Sequence, residues 1–124
     1  MRGAVADEKL LDALIAPIVT HRVEIGVLFY IDSVGRLAGM RHLRGRREGI
    51  DVSLRLLVGD ALAFEACDAI MAHNHPSGDP RASADDMALT RRLARALGAV
   101  GVTLLDHLIV ARGGRTSLRE AGYL

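Results

Sequence analysis

The chain has 124 residues, of which 50% are hydrophobic and 25% charged, a composition typical of one globular domain. Its formal net charge of +1 argues against recruitment to DNA or anionic membranes by an overall positive field. The single cysteine, Cys67, excludes an internal disulfide and a zinc site built from several cysteines.

The sequence also argues against membrane insertion and secretion. No apolar run approaches the roughly 20 residues that cross a bilayer, and the N-terminal segment lacks the long apolar stretch of a signal peptide. An aromatic share of 3% leaves few rings for stacking on nucleic-acid bases. We therefore expect a cytoplasmic protein with an aliphatic core.

The hydrophobic periodicity changes several times along the chain and predicts both helices and strands. In chain order, the predicted elements are an N-terminal helix over 7–16 (within residues 1–19), an inner strand within 21–32, a partner strand over 36–43, a polar loop over 44–52, a helix from Ser53 to near Cys67, a strand over 69–72, an irregular loop, a helix over 84–97 begun by Ser83 and stopped by Gly98, a strand or strand pair over 100–110, and a short closing strand. This order predicts one domain over residues 1–124. Its fold class is α/β, a mixed sheet with helices on both faces.

Two histidines and an aspartate form the most informative constellation. His73 and His75 are separated by one residue at the end of a predicted strand, and Pro76 and Gly78 favour an immediate turn that brings both rings to one ion. Asp86, in the first turn of the following helix, can supply an oxygen. Two imidazoles and one carboxylate are the protein ligands of a catalytic zinc site. The sequence therefore predicts bound Zn²⁺.

A hydrolytic zinc site also needs a general base. Glu24 is predicted to lie in the middle of the first strand, on a face whose neighbours Leu28 and Tyr30 are uncharged. A carboxylate among apolar side chains needs a reason, and catalysis would supply one. The alternative is a partly exposed strand residue paired with an arginine.

The polar residues occur in an order that resembles a known family. A glutamate on an early strand, then His73-Asn74-His75-Pro76, then Ser83 and Asp86 three residues apart, is similar to the JAB/MPN metalloproteases, whose signature is the JAMM motif. The strings HNHPSGDPRAS, DHLIV and TSLREAGYL resemble the bacterial RadC branch of that family. The resemblance covers nearly the whole chain.

The resemblance implies a fold akin to cytidine deaminase and a role for each matched residue. His73, His75 and Asp86 would bind zinc, Glu24 would act as the general acid/base, and Ser83 would stabilise the oxyanion of a tetrahedral intermediate. Active family members cleave amide or isopeptide bonds. We therefore expect a zinc-dependent metallopeptidase-like hydrolase acting on a peptide or protein. RadC-type proteins usually carry a preceding helix-hairpin-helix module, which we do not expect in this chain.

Structural interpretations remain open for several of these residues. Ser83 and Asp86 nearly form a capping box, and capping and metal binding would compete for the same carboxylate. Asp85 is the rival ligand to Asp86. His107, which follows Asp106, is either a residue that orients a ligand or a hydrogen-bonded core histidine.

Other functions have weaker support in the sequence. A DNA-associated binding protein or nuclease would use arginines for weak contact with phosphates, and a catalytically silent MPN interaction domain would keep only the fold. A deaminase is disfavoured, because its H-x-E and P-C-x-x-C pattern is absent. A homodimer is a further expectation. The arginines that could contact nucleic acid are Arg41, Arg44, Arg46 and Arg47.

Overall fold

The computed structural model of the chain describes residues 5–46, 49–50 and 52–124. Within these ranges the polypeptide forms a mixed α/β fold, as predicted. The helices are α1 (Glu8–Ile15), α2 (Leu54–Ala63) and α3 (Ala84–Gly98), with a 3₁₀ helix at Ala16–Thr20, and the strands are β1 (Ile25–Ile31), β2 (Leu37–Arg46), β3 (Gly49–Ile50), β4 (Asp68–Asn74), β5 (Thr103–Ala111) and β6 (Gly114–Ser117).

The strands form one mixed sheet in the order β3-β2-β1-β4-β5-β6. β1 pairs antiparallel with both β2 and β4, which confirms the prediction of an inner strand. β4 and β5 run parallel, and β6 returns antiparallel to β5. This pairing brings the end of β4, the start of β1 and the end of β5 to the same end of the sheet.

Helices cover both faces of the sheet, as predicted. On one face, Leu28 and Tyr30 of β1 pack in a core cluster with residues of α2 and α3. On the other face, Val27 and Phe29 pack with α1 and the 3₁₀ helix. Side chains alternate between the two faces along a strand, so the apolar residues of β1 contribute to both cores.

The tyrosine of β1 needs a polar partner because it is completely buried. Its hydroxyl donates a hydrogen bond to the carbonyl of Leu57 in α2, at 2.9 Å. Ser53 begins α2 as predicted, since its side chain accepts a hydrogen bond from the backbone N–H of Leu56.

Several predicted boundaries were wrong. The predicted loop over 44–52 contains the end of β2 and all of β3, because β2 continues to pair beyond residue 43; residues 47, 48 and 51 lie outside the described part. α2 ends at Ala63, earlier than predicted, and Glu65 follows with a positive φ of 53°. Gly98 does not stop α3 from outside, since it is the last helical residue. The chain reverses instead at Gly101, whose φ is +80°.

No helix among the described residues has both the length and the apolar character required to cross a membrane.

Candidate metal centre

Strand β4 delivers two adjacent polar side chains to opposite faces of the sheet. His73 and Asn74 are its last two residues, and both are completely buried. Because neighbouring side chains on a strand point in opposite directions, His73 faces the side covered by α3 and Asn74 the side covered by α1. Each of them therefore meets a different part of the chain.

Four side chains that are far apart in sequence meet at this end of β4. Glu24, His73, His75 and Asp86 each contribute a potential ligand atom, and these atoms lie within 4.8 Å of one another. The structure thus brings together the three predicted ligands and the predicted base. Asp85, the rival ligand, is exposed and does not belong to this group.

The separations between the ligand atoms fit one small tetrahedral cation. His73 Nε2 lies 3.1 Å from His75 Nε2 and 3.2 Å from Asp86 Oδ1, and His75 Nε2 lies 3.0 Å from Asp86 Oδ2. Glu24 Oε1 is 3.3 Å from His73 Nε2. Nitrogen and oxygen atoms bound at about 2.0–2.1 Å in tetrahedral geometry lie about 3.3 Å from each other. The cluster could therefore hold a metal ion.

His75 is oriented by the loop that follows β4. Its backbone N–H donates to the carbonyl of Val110 in β5 at 3.0 Å. Its Nδ1 lies 2.8 Å from the carbonyl oxygen of Asp79, which can only accept a hydrogen bond. Nδ1 therefore carries a proton, and Nε2 faces the cluster. A histidine that binds a metal commonly donates its other N–H to such a carbonyl.

Asp86 caps α3 and faces both histidines at the same time. Ser83 accepts a hydrogen bond from the Asp86 N–H at 3.0 Å, and Asp86 Oδ2 accepts one from the Ser83 N–H at 2.9 Å. These two bonds complete a capping box. The capping box does not turn the carboxylate away from the cluster, because each of its oxygens also faces one histidine. The cap orients the carboxylate towards the cluster.

Glu24 reaches the cluster from just before β1. The prediction that it lies in mid-strand was wrong, since β1 begins at Ile25. Its side chain remains 21% exposed, so the cluster is open to solvent on this side. A carboxylate at such a rim can exchange protons with water and with a bound substrate.

Asn74 holds the segment that carries Glu24, a role that sequence reasoning missed. Its Oδ1 accepts a hydrogen bond from the N–H of Ile25 at 2.7 Å, and its Nδ2 donates to the carbonyls of Val23 at 3.0 Å and His21 at 3.2 Å. The backbone groups on either side of Glu24 are therefore bound to one buried side chain. The only sequence signal was a polar residue between two candidate ligands.

His107 contacts the cluster from β5. Its Nε2 lies 2.7 Å from His73 Nδ1, and its Nδ1 lies 2.6 Å from the hydroxyl of Thr90 in α3. All three side chains are buried. The ring is therefore a hydrogen-bonded core residue that also contacts a candidate ligand. Thr90 was missed, although it lies one helical turn after Asp86 among the buried positions of α3.

The electrostatics of the cluster favour a negatively charged Asp86 and a positive partner. Burial lowers the pKa of His73, but the adjacent carboxylates of Asp86 and Glu24 outweigh that effect and raise the pKa above its ordinary value. Burial tends to raise the pKa of Asp86, yet hydrogen bonds from His73 and the Ser83 backbone leave it well below its usual range. Burial and then the nearby His73 lower the pKa of His107 to about 3. The carboxylates thus attract positive charge, and His107 is neutral.

The predicted nucleic-acid contact falls on residues with varied surroundings. Arg41 makes two hydrogen bonds to the carboxylate of Asp60, both of 2.8 Å, so its charge is already paired. Arg44 is exposed. The side chain of Arg46 and the whole of Arg47 lie outside the described part. The contact, like the homodimer, stays a prediction.

Comparison with known proteins identifies the family. The profile of the RadC-like JAB domain matches residues 5–123. The chain belongs to the RadC-like JAB domain family. Its fold agrees with the JAB/MPN architecture, and the expected resemblance is confirmed.

Two relatives illustrate the extent of the match. The RadC-like chain is 41% identical over 114 residues to a UPF0758 protein from Cellvibrio japonicus, covering 91% of this chain and 51% of the relative. It is 47% identical over 105 residues to a UPF0758 protein from Halorhodospira halophila, covering 84% of this chain and 47% of the relative. The chain therefore spans about half the length of the curated relatives it matches.

Proposed function

We propose that this RadC-like domain is a zinc-dependent hydrolase that cleaves a peptide or isopeptide bond. The observation that carries the proposal is the convergence of His73, His75, Asp86 and Glu24 within 4.8 Å at a solvent-accessible end of the sheet. Family membership supports it, because JAB domains are often hydrolytic and commonly bind zinc. Two imidazoles and a carboxylate are also a ligand set typical of catalytic zinc.

In this proposal, His73, His75 and Asp86 hold the ion, and Glu24 and Ser83 act on the substrate. Zinc bound there would supply Lewis-acid chemistry, lowering the pKa of a water and polarising the scissile carbonyl. Glu24 takes a proton from the attacking water and delivers it to the leaving nitrogen. Its position at the solvent-exposed rim suits a group that must meet both water and substrate.

Ser83 has one donor left for an oxyanion. Its oxygen already accepts the Asp86 N–H, and a serine hydroxyl also carries a proton that it can donate. The side chain is exposed at the start of α3, next to the cluster. Donation of that proton to the developing oxyanion would stabilise the transition state.

Elemental analysis of the purified chain tests the metal directly. We expect about one zinc per chain in the parent and none in a His73→Ala, His75→Ala double variant, since three protein ligands are needed for tight binding. A parent that binds no zinc, when purified without chelators and supplied with zinc, would contradict the proposed function. The chain would then be better described as an interaction domain that keeps the family fold.

A further inference from the structure

The two candidate histidine ligands have different partners for their second ring nitrogen. His75 Nδ1 faces a carbonyl oxygen, so the position of its proton is determined locally. His73 Nδ1 faces another imidazole, that of His107, at 2.7 Å. Either ring could donate across this contact. Only one direction leaves the Nε2 lone pair of His73 free for a cation.

The direction is determined at the far end of a buried chain of hydrogen bonds. Thr90 Oγ1 lies 2.7 Å from the backbone carbonyl of Asp86 and 2.6 Å from His107 Nδ1. The carbonyl has no proton, so the Thr90 hydroxyl must donate to it. The same oxygen then accepts from His107, which places the proton of the neutral His107 ring on Nδ1.

The position of the proton between His73 and His107 follows from this assignment. With Nδ1 protonated, Nε2 of neutral His107 has only a lone pair and accepts the Nδ1–H of His73. A charged His107 is disfavoured, because the ring is completely buried and its two nitrogens face an imidazole and a hydroxyl. In the neutral His73 ring, which is the form that binds a metal, the Nε2 lone pair is then directed at His75, Asp86 and Glu24.

We propose that His107 and Thr90 are positioning residues that prepare His73 to bind the metal. The chain runs from His73 through His107 and Thr90 to the backbone of Asp86, so two ligands are joined by buried hydrogen bonds outside the cluster. It couples the orientation of the His73 ring in β4 to the first turns of α3. The metal-binding part of this inference rests on the proposed function, whereas the proton positions do not.

Nitrogen-resolved NMR of the histidine rings in the full chain tests the proton positions. We expect His107 to be protonated at Nδ1 and unprotonated at Nε2, with or without zinc. In Thr90→Val, which keeps the side-chain volume but loses the hydroxyl, this preference should weaken. A parent in which His107 is protonated at Nε2 would overturn the inference, whatever the outcome of the metal analysis.

Competition with a zinc chelator tests the consequence for binding. We expect Thr90→Val to bind zinc about tenfold more weakly, and His107→Phe about ten- to a hundredfold more weakly, than the parent. Thr90→Ser retains the hydroxyl and should bind within about twofold of the parent, which separates hydrogen bonding from packing. Parent-like affinity in Thr90→Val would overturn the inference while leaving the proposed function intact. If His107→Phe fails to fold, the two Thr90 variants still decide the question.

Discussion

Glu24 and Asn74 have separate roles at the candidate site: one faces the cluster, and the other holds the segment that carries it. Glu24 lies 3.3 Å from His73, but it is attached to a segment that contributes no other candidate ligand. Asn74 connects that segment to β4 through hydrogen bonds to Ile25, Val23 and His21. Metal binding and proton transfer should therefore be separable by substitution.

Glu24→Gln should keep zinc and lose turnover. The amide retains the shape of the side chain but cannot accept a proton at neutral pH, and a general base contributes about 10²–10⁴-fold to rate. Elemental analysis and hydrolysis of a fluorogenic peptide mixture would measure the two effects. Glu8→Gln, at an exposed position of α1, is the matched control. An unchanged rate in Glu24→Gln would remove Glu24 from the mechanism.

Asn74→Ala should lower both stability and turnover. The substitution leaves buried or partly buried backbone groups beside Glu24 without their partner, which costs about 1–3 kcal/mol in the free energy of unfolding. Because the glutamate is then no longer held beside His73, the rate should fall more than the zinc affinity. Urea denaturation, peptide hydrolysis and chelator competition would be compared. Equal losses of affinity and rate would argue that Asn74 only supports the ligands.

At the scale of elements, the start of α3 combines a structural and a chemical role. Ser83 and Asp86 close the helix end through reciprocal hydrogen bonds, and the same geometry turns the Asp86 carboxylate to the two histidines. The helix cap therefore positions a candidate ligand. The segment before β1, which carries Glu24, forms another side of the site. Its position depends on how closely β2 approaches it at Gly45.

Ser83→Gly separates capping from transition-state stabilisation. Glycine at an N-cap costs only a few tenths of a kcal/mol, whereas alanine costs about 0.5–2 kcal/mol. Both variants lose the hydroxyl, and loss of one oxyanion donor lowers kcat by about 10²–10³. We expect Ser83→Gly to unfold near the parent midpoint and yet to be as impaired in turnover as Ser83→Ala. Activity that tracks stability in the two variants would assign Ser83 to capping alone.

Gly45→Ala should displace the segment that carries Glu24. A Cβ at Gly45 in β2 would overlap the backbone carbonyl of Glu24. Relieving that overlap requires a backbone shift, which costs free energy of folding. We expect a loss of about 1–3 kcal/mol of stability together with reduced turnover. Gly59→Ala in α2 is the control, because its Cβ would meet nothing within 4 Å and alanine favours helix. Parent-like stability in Gly45→Ala would show that the two segments can separate.

At the scale of the whole molecule, the candidate metal centre connects three parts of the fold. β4 and the loop after it carry the two histidines, α3 carries Asp86, and the segment before β1 carries Glu24. An ion bound there would join β4, α3 and the segment before β1. Binding to the folded state alone stabilises that state by an amount that depends on the ratio of free metal to the dissociation constant.

Removal of the metal should lower the thermal stability of the parent. At a free zinc concentration about 100 times the dissociation constant, the stabilisation is about 2.7 kcal/mol, which corresponds to several degrees in Tm. Calorimetry with and without a chelator would measure the shift. The His73→Ala, His75→Ala variant should melt at the same temperature under both conditions. An equal chelator effect on both proteins would point to zinc bound elsewhere.

Much of the fold and the local part of the site could be predicted from the sequence. The apolar run of β1 and the capping signal at Ser83 are local patterns, and the apolar run before His73 marks a buried strand. His73, His75 and Asp86 lie close together in sequence on a strand, a turn and a helix start. Their convergence therefore needs only one change of chain direction, and it could be expected without knowledge of the sheet.

The tertiary structure alone decided what the distant residues around the site contact. Glu24 and His107 contact His73, and Asn74 binds the segment that carries Glu24, because β1, β4 and β5 are neighbours in a particular register. A shift of one residue in that pairing would turn each side chain to the opposite face. Thr90 contacts His107 only because α3 packs on the sheet beside that histidine. Hydrophobic pattern determines that a residue is buried, but strand register and helix packing determine what it touches.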